Sequence, residues 1–394
     1  MRRLKIAIAT AGRFHVLDLV RELHALGHEV RFYSYVPRFR ARRFGLPDEC
    51  HVSLLPSAFP ALAWERLAPK LLPHARERLF YAALNRAVML RLQPCDVFIC
   101  MSGIYLEAAL FARRRFGARI WLERGSRYIL SQDEILAAIP GAERPSSLAI
   151  RRELAGYAAA DRIVIPSVHV EESFRRDGTA YAKLFRNPYG VDLASFFAKA
   201  EKTAGNPPSV LFVGTWSFQK GCDVLADAVR RISGMRLTHV GAIGDLDFPA
   251  GVERFTHIDQ VPQPALARFY AEADIFVLAS RQDGFGMVLS QALASGLPVI
   301  CTDRTGGADL AHTPALAARI TVVPHSDAGA LATAMARWRD RLSGGEPLPP
   351  LAEADRETLS WAAYGRRYSD ELLRSFAPRD TPMEHHPEFA LLSG

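Results

Sequence analysis

The 394-residue sequence predicts an α/β protein of two doubly wound domains, each a parallel sheet with flanking helices, facing each other across a cleft. Three observations carry that prediction. Compact apolar runs alternate with amphipathic helical patterns through both halves, which is how βαβ units read in a sequence. The charge is unevenly spread: residues 1–200 hold 31 Lys and Arg against 19 Asp and Glu, and residues 201–394 hold 18 against 23. Where the balance changes, residues 198–208 (Ala-Lys-Ala-Glu-Lys-Thr-Ala-Gly-Asn-Pro-Pro) lack apolar periodicity and read as a linker.

Taken in order, Lys5–Thr10 is an apolar strand, and Gly12-Arg13-Phe14-His15 turns into an amphipathic helix that ends near Leu26. Gly27 is its stop, and Glu29–Ser34 resumes as a strand. Further strands are expected at Val97–Met101, Arg119–Leu122 and Arg162–Pro166. After the linker, the second series runs strand Val210–Val213, helix Cys222–Ile232, strand Leu237–Val240, helix Pro264–Ala273 and strand Ile275–Leu278. Helix Met287–Ser295, strand Pro298–Thr302, a Gly/Pro-rich loop at Leu342–Pro350 and a last helix at Ser360–Phe376 complete it. The expected units are therefore a first domain at 1–197, a second at 209–360, a closing helix at 361–376 and a flexible tail at 377–394.

Composition narrows the class. With 49% hydrophobic and 23% charged residues, the chain is neither largely disordered nor an integral membrane protein. No stretch approaches the ~18 apolar residues that span a bilayer, and the apolar run after Met1-Arg-Arg is too short for a signal peptide. Five cysteines (Cys50, Cys95, Cys100, Cys222, Cys301) without zinc or redox spacing read as reduced, buried thiols, so a cytoplasmic location is expected. The net charge of +7 is a balance of +12 in the first half against −5 in the second, and the basic half can face an acidic substrate or an anionic membrane; no recognition helix or aromatic stacking pattern supports nucleic acid.

The densest chemical signal is Ser280-Arg-Gln-Asp283-Gly284-Phe285-Gly286-Met287-Val288, which continues through Gln291 to Ala294-Ser-Gly-Leu-Pro-Val299. A strand ends, a Gly-x-Gly turn follows and a helix begins, so the N–H groups of Gly286, Met287 and Val288 suit a phosphate. Gln291 lies roughly 7 Å along that helix at about 1.5 Å per residue, too far to grip one atom together with Asp283. The two side chains suit opposite ends of an extended ligand whose diphosphate rests on the amides between them.

With these residues the sequence resembles the retaining glycosyltransferases of family 4 (glycosyl transferases group 1), which have the GT-B fold of two Rossmann-like domains. The family's signature is Glu-Gly-Phe-Gly with a second Glu eight residues after the first. Asp161-Arg-Ile-Val-Ile-Pro-Ser167, Asn187-Pro-Tyr-Gly-Val-Asp192, Phe212-Val-Gly214 with Lys220-Gly221, and Trp361-Ala-Ala-Tyr364 follow in the family's order. The resemblance implies transfer of a hexose-type sugar from a nucleotide diphosphate sugar to a hydroxyl, with retention, the nucleotide sugar being a co-substrate and no metal or other cofactor being expected. It implies that Lys220 neutralises the donor diphosphate together with the amides after Gly284. Gln291 would meet the ribose, Asp283 the transferred sugar, and Gly12 and Gly214 would leave room in their turns. The closing helix would cross back onto the first domain.

The departures are specific. Asp283 and Gln291 stand where the family has Glu, Thr215 and Gln219 stand around Lys220 without the family's Arg, and Tyr128 replaces a His after Glu123-Arg-Gly-Ser-Arg127. His15, Arg124 and Ser126 are the remaining cleft candidates. The implied acceptor is a saccharide, lipid-linked or of the cell envelope. The alternatives are a catalytically weak or inactive sugar-nucleotide-binding subunit and a nucleotide-sugar epimerase on the same fold. Asp245-Leu-Asp247 mimics a metal-binding pair but reads as a solvated loop. Residues Ala61–Leu92, with Arg38, Arg40, Arg42 and Arg43 before them, mix arginines with large apolar side chains and point to contact with an anionic membrane, on the inner face of the plasma membrane.

Overall fold

The computed structural model describes residues 2–12, 15–57, 64, 73–197, 208–344 and 348–377. The first sheet has seven parallel strands in the order β3-β2-β1-β4-β5-β6-β7. These are Lys5–Thr10, Glu29–Ser34, His51–Ser53, Val97–Met101, Arg119–Glu123, Arg162–Ile165 and Leu184–Arg186, numbered β1 to β7 along the chain. The second sheet has six parallel strands in the order β10-β9-β8-β11-β12-β13. Along the chain, β8 to β13 are Ser209–Val213, Arg236–Val240, Phe255–Ile258, Ile275–Leu278, Val299–Thr302 and Ile320–Val323. The architecture is GT-B, two Rossmann-like domains. In each sheet the strand order reverses at one place, β1/β4 and β8/β11, and a crevice opens there at the carboxyl ends of the strands.

The central strands are buried on both faces, so they read as continuous apolar runs. In β1 every residue after Lys5 is buried, and β11 is buried throughout. The strands that the sequence did not reveal are β3, β7, β10 and β13, three or four residues each, and all four are edge strands. β7 has no buried residue and β13 has one, so neither carries a hydrophobic run to detect. Cys100 lies inside β4, and all five cysteines are free and buried.

Helix ends follow local chemistry. The Val16–Ala25 helix stops at Gly27, whose φ of 89° is a left-handed conformation. The His28 N–H then reaches the Leu23 carbonyl and the Gly27 N–H that of His24, the two bonds of a Schellman motif. The last helix, Trp361–Ser375, starts at Ser360, whose side chain accepts from the Ala363 N–H. It crosses to the first domain: Gly365 lies against Glu22, where a Cβ would come within 2.3 Å, and Ser369 Oγ meets His28 Nε2 at 2.9 Å. One hydrophobic core runs from β1 and the Val16–Ala25 helix through this crossing helix into the second domain. Residues 198–207 of the expected linker (198–208), 378–394 of the expected tail (377–394), and 58–63 and 65–72 of the basic segment lie outside the described residues.

Candidate functional site

Between the domains lies a cleft of about 930 Å³. The first domain contributes His15, Arg21, Arg43 and Tyr189; the second contributes Asp283, Phe285, Gly286, Met287 and Gln291. The carboxyl end of β11 leads into the loop that holds this second wall. Gly286 caps the Met287–Ala294 helix with φ 81°, and a Cβ there would stand 2.5 Å from Leu278. The first N–H groups of that helix lack intrahelical acceptors and carry the positive end of its dipole.

Lys220 and Asp283, expected at different parts of a ligand, are brought together: Lys220 Nζ lies 2.5 Å from Asp283 Oδ2. The contact is made possible by Gly221, with φ 66°, whose missing Cβ would sit 2.0 Å from the Ala279 carbonyl oxygen. Gln219, in the family's place for a charged neighbour, instead donates to Gln282 Oε1 at 2.7 Å and ties the two loops. Gln291 differs from expectation in its hydrogen-bonding sense. Its carbonyl oxygen already accepts from the Tyr270 hydroxyl at 2.8 Å, so it faces the cleft as an amide donor.

On the opposite wall, His15 is buried and its Nε2 lies 2.8 Å from Glu123 Oε2 at the end of β5. The other Glu123 oxygen accepts from Tyr368 of the crossing helix at 2.7 Å. The imidazole packs on Tyr189, with ring centroids 4.3 Å apart, and Tyr189 meets Phe285 edge-on. Ser126 accepts from Gln282 Nε2 at 2.7 Å, a contact between the domains rather than a ligand position.

Arg124 corrects the sequence reading. It is buried inside the first domain, where its guanidinium donates to Glu153 Oε1 at 3.0 Å, to Gln132 Oε1 at 2.5 Å and to the Arg127 carbonyl at 2.7 Å. It does not line the cleft. Gly12 follows β1, and its N–H and carbonyl both bond Thr10 Oγ1. Gly214 follows β8 in an extended turn, its carbonyl accepting from His239 Nε2 at 2.8 Å. Burial pushes that imidazole down to about 4, so it donates as the neutral form. Asp245 is not a free loop carboxylate; it accepts from the Phe218 N–H at 2.9 Å and shapes the Lys220 turn. Among the described residues no group of three His, Cys, Asp or Glu could hold a metal ion, and no helix is long and apolar enough to cross a membrane.

Sequence reasoning missed Glu123, Tyr189 and Tyr270, each of which holds a cleft residue from a distant part of the chain. The Glu123-Arg-Gly-Ser segment was the available signal, with its carboxylate at the end of a buried strand.

Two family models match, "Glycosyl transferase 4-like domain" over residues 11–190 and "Glycosyl transferases group 1" over residues 207–340. Together they cover every strand except β1, and the cleft residues named above on both walls. The chain belongs to the group 1 glycosyltransferases. It is 32% identical over 183 residues to the D-inositol 3-phosphate glycosyltransferase of Pseudarthrobacter chlorophenolicus, an alignment covering 40% of this chain and 43% of that one. The chain spans less than half the length of this and the other curated relatives it matches. The fold is that of sucrose-phosphate synthase from Thermosynechococcus elongatus, with TM-score 0.69 and 21% identity over 95% of this chain and 99% of that one. It is also that of Anabaena HepE in complex with UDP and glucose, with TM-score 0.65 and 12% identity over 94% of this chain and all of that one.

Proposed function

We propose that this group 1 glycosyltransferase moves a hexose-type sugar, with retention, from a nucleotide diphosphate sugar to a hydroxyl on an anionic saccharide or lipid-linked acceptor. The observation that carries the donor side is the Lys220–Asp283 ion pair, of which Asp283 lines the cleft beside the N-terminus of the Met287–Ala294 helix while Lys220 stands behind it. A diphosphate would draw Lys220 from Asp283 and rest on the helix amides; Asp283, released, would accept from the sugar hydroxyls. The Gln291 amide would donate to the ribose oxygens. As the bond from the anomeric carbon to the diphosphate breaks, Lys220 and the helix terminus offset the charge on the leaving oxygen. That oxygen takes the acceptor's proton, and the acceptor oxygen bonds to the same face of the sugar.

The acceptor side rests on charge. Arg21 and Arg43 line the first-domain wall; Arg21 is held by Asp18 at 2.8 Å and by the Phe44 carbonyl at 2.9 Å. Arg43 has no ion-pair partner among the described residues. The relative from Pseudarthrobacter carries a phosphorylated inositol in its name, in keeping with such a wall. Exposed Phe39 and Leu90, among Arg38, Arg40, Arg42 and Arg91, support work at the inner face of a plasma membrane.

The test is a panel of nucleotide sugars, UDP-glucose first, with phosphorylated and lipid-linked acceptors, scored by release of nucleotide diphosphate and the anomeric configuration of the product. An α-donor giving an α-product supports the reading. Binding of donors without turnover across the panel would instead mark a sugar-nucleotide-binding subunit, the reading favoured by Asp283 and Gln291 at the two Glu positions. Flotation with anionic vesicles in a salt series tests the membrane; no salt-sensitive binding would remove it.

A further inference from the structure

The loop that carries Asp283 does not stand alone in the second domain. The Asp283 N–H donates to the Arg304 carbonyl at 3.2 Å and the Gly306 N–H to the Phe285 carbonyl at 2.7 Å, so the 282–286 loop and the loop after β12 are one body. Gly306 packs so closely that a Cβ there would strike the Phe285 ring at 2.1 Å. Asp309 rides on the same body, its N–H donating to the Gly306 carbonyl at 3.1 Å.

This body is gripped by two adjacent residues of the first domain, at the carboxyl end of β6. Ser167 Oγ donates to the Gly284 carbonyl at 2.6 Å. The Val168 N–H, at the start of the Val168–Arg176 helix, lies 3.0 Å from both carboxylate oxygens of Asp309. Arg186 at the end of β7 adds an ion pair to Asp309 at 3.1 Å. Next to this grip, Gly284 lies so close to the first domain that a Cβ would sit 1.7 Å from the Gly125 carbonyl oxygen.

We propose that Ser167 and Asp309 are positioning residues that clamp the 282–286 loop onto the first domain and so fix Asp283 and the helix terminus in the closed cleft. The inference rests on the transferase reading for its consequence in turnover, but the clamp itself is a property of domain closure and is measurable without substrate.

The clamp carries its own pH signature. Asp309 is desolvated in the closed structure, which pushes its carboxyl up to about 6. The Val168 N–H and Arg186 oppose that shift, and Glu171 on the facing helix adds to it. Beyond Arg186 lies His312, pushed down to about 4 by burial and by Arg367 of the crossing helix and Arg186, so it stays neutral through the same range. Opening the cleft returns Asp309 to water and to the ordinary aspartate range. Between the two values the closed form binds a proton that the open form lacks, so acidification through pH 6 strengthens closure. The open-to-closed ratio then falls by up to about tenfold per pH unit.

The experiment is small-angle X-ray scattering of the full chain between pH 7.5 and 4.5, paired with steady-state kinetics. We expect the wild-type radius of gyration to fall on acidification, Asp309→Asn to be closed and pH-independent over this window, and Asp309→Ala to be more open at every pH. Ser167→Ala should lower kcat about tenfold with a smaller change in donor KM. A radius of gyration for Asp309→Ala equal to that of wild type at every pH would overturn the clamp, whatever the turnover assays show, and the same pH dependence in wild type and Asp309→Asn would remove its pH signature. Normal scattering behaviour with no turnover in any variant would instead tell against the transferase reading and leave the clamp standing.

Discussion

At the scale of single residues, the site is built by contacts that admit one side chain or none. Gly284 shows this most sharply, because a Cβ there would overlap a carbonyl oxygen of the opposite domain. Gly284→Ala should leave each domain folded but hold the cleft ajar, lowering kcat/KM at least about tenfold with a melting temperature within a few degrees of wild type. Circular dichroism and initial-rate kinetics check it; an unaffected rate would mean that this approach of the domains is not needed for turnover. Gln291 makes a second point. A Glu in its place would accept from Tyr270 and still present a free carboxylate oxygen to the ribose, whereas the amide presents donors. That distinction was not legible in the sequence, since nothing links Gln291 to Tyr270 but the packing of the two helices. The position of Gln291 itself was legible, because the glycine turn and the helix that carry it are local.

At the scale of elements, the crossing helix is the joint of the molecule. Tyr368 supplies the hydrogen bond that satisfies Glu123 beside His15, and both partners are buried. Tyr368→Phe should cost about 1–3 kcal/mol, the penalty for leaving a buried carboxylate oxygen without a donor, read as a lower urea midpoint. Gly190 marks where this helix starts against the first domain, since a Cβ would meet the Trp361 backbone at 2.6 Å. Gly190→Ala should therefore destabilise by about 1–3 kcal/mol through overpacking. The element pattern of the second domain was readable from apolar runs between helices, down to β11 and its following turn. What could not be read were short strands such as β7, whose pairing with β6 is set by the neighbouring strand rather than by their own residues. Arg124 failed as a cleft residue for a related reason: an arginine one residue past a strand end can turn to either side, and Glu153, 29 residues away, decided it.

At the scale of the whole molecule, charge and closure are divided between the domains. The excess of Lys and Arg in residues 1–200 anticipates a basic first-domain wall, where Arg21 and Arg43 line the cleft, because net charge is a sum that needs no fold. If Arg21 and Arg43 meet an anionic acceptor, the acceptor KM should rise severalfold between 50 and 500 mM salt, and Arg43→Ala should flatten that dependence. A salt-independent KM in wild type would exclude an anionic acceptor at that wall. Closure was the least legible property. Val168 and Asp309 are 141 positions apart and sit in different domains, and no periodicity or motif connects them.

In the proposed reaction the Lys220 ammonium and the adjoining helix terminus hold the departing diphosphate. That role is tested most directly by the rate of nucleotide diphosphate release under saturating donor and acceptor, wild type against Lys220→Ala. Loss of a preorganised charge at the leaving group predicts a rate at least about a hundredfold lower, with the fold intact. Release by Lys220→Ala at the wild-type rate would contradict the account.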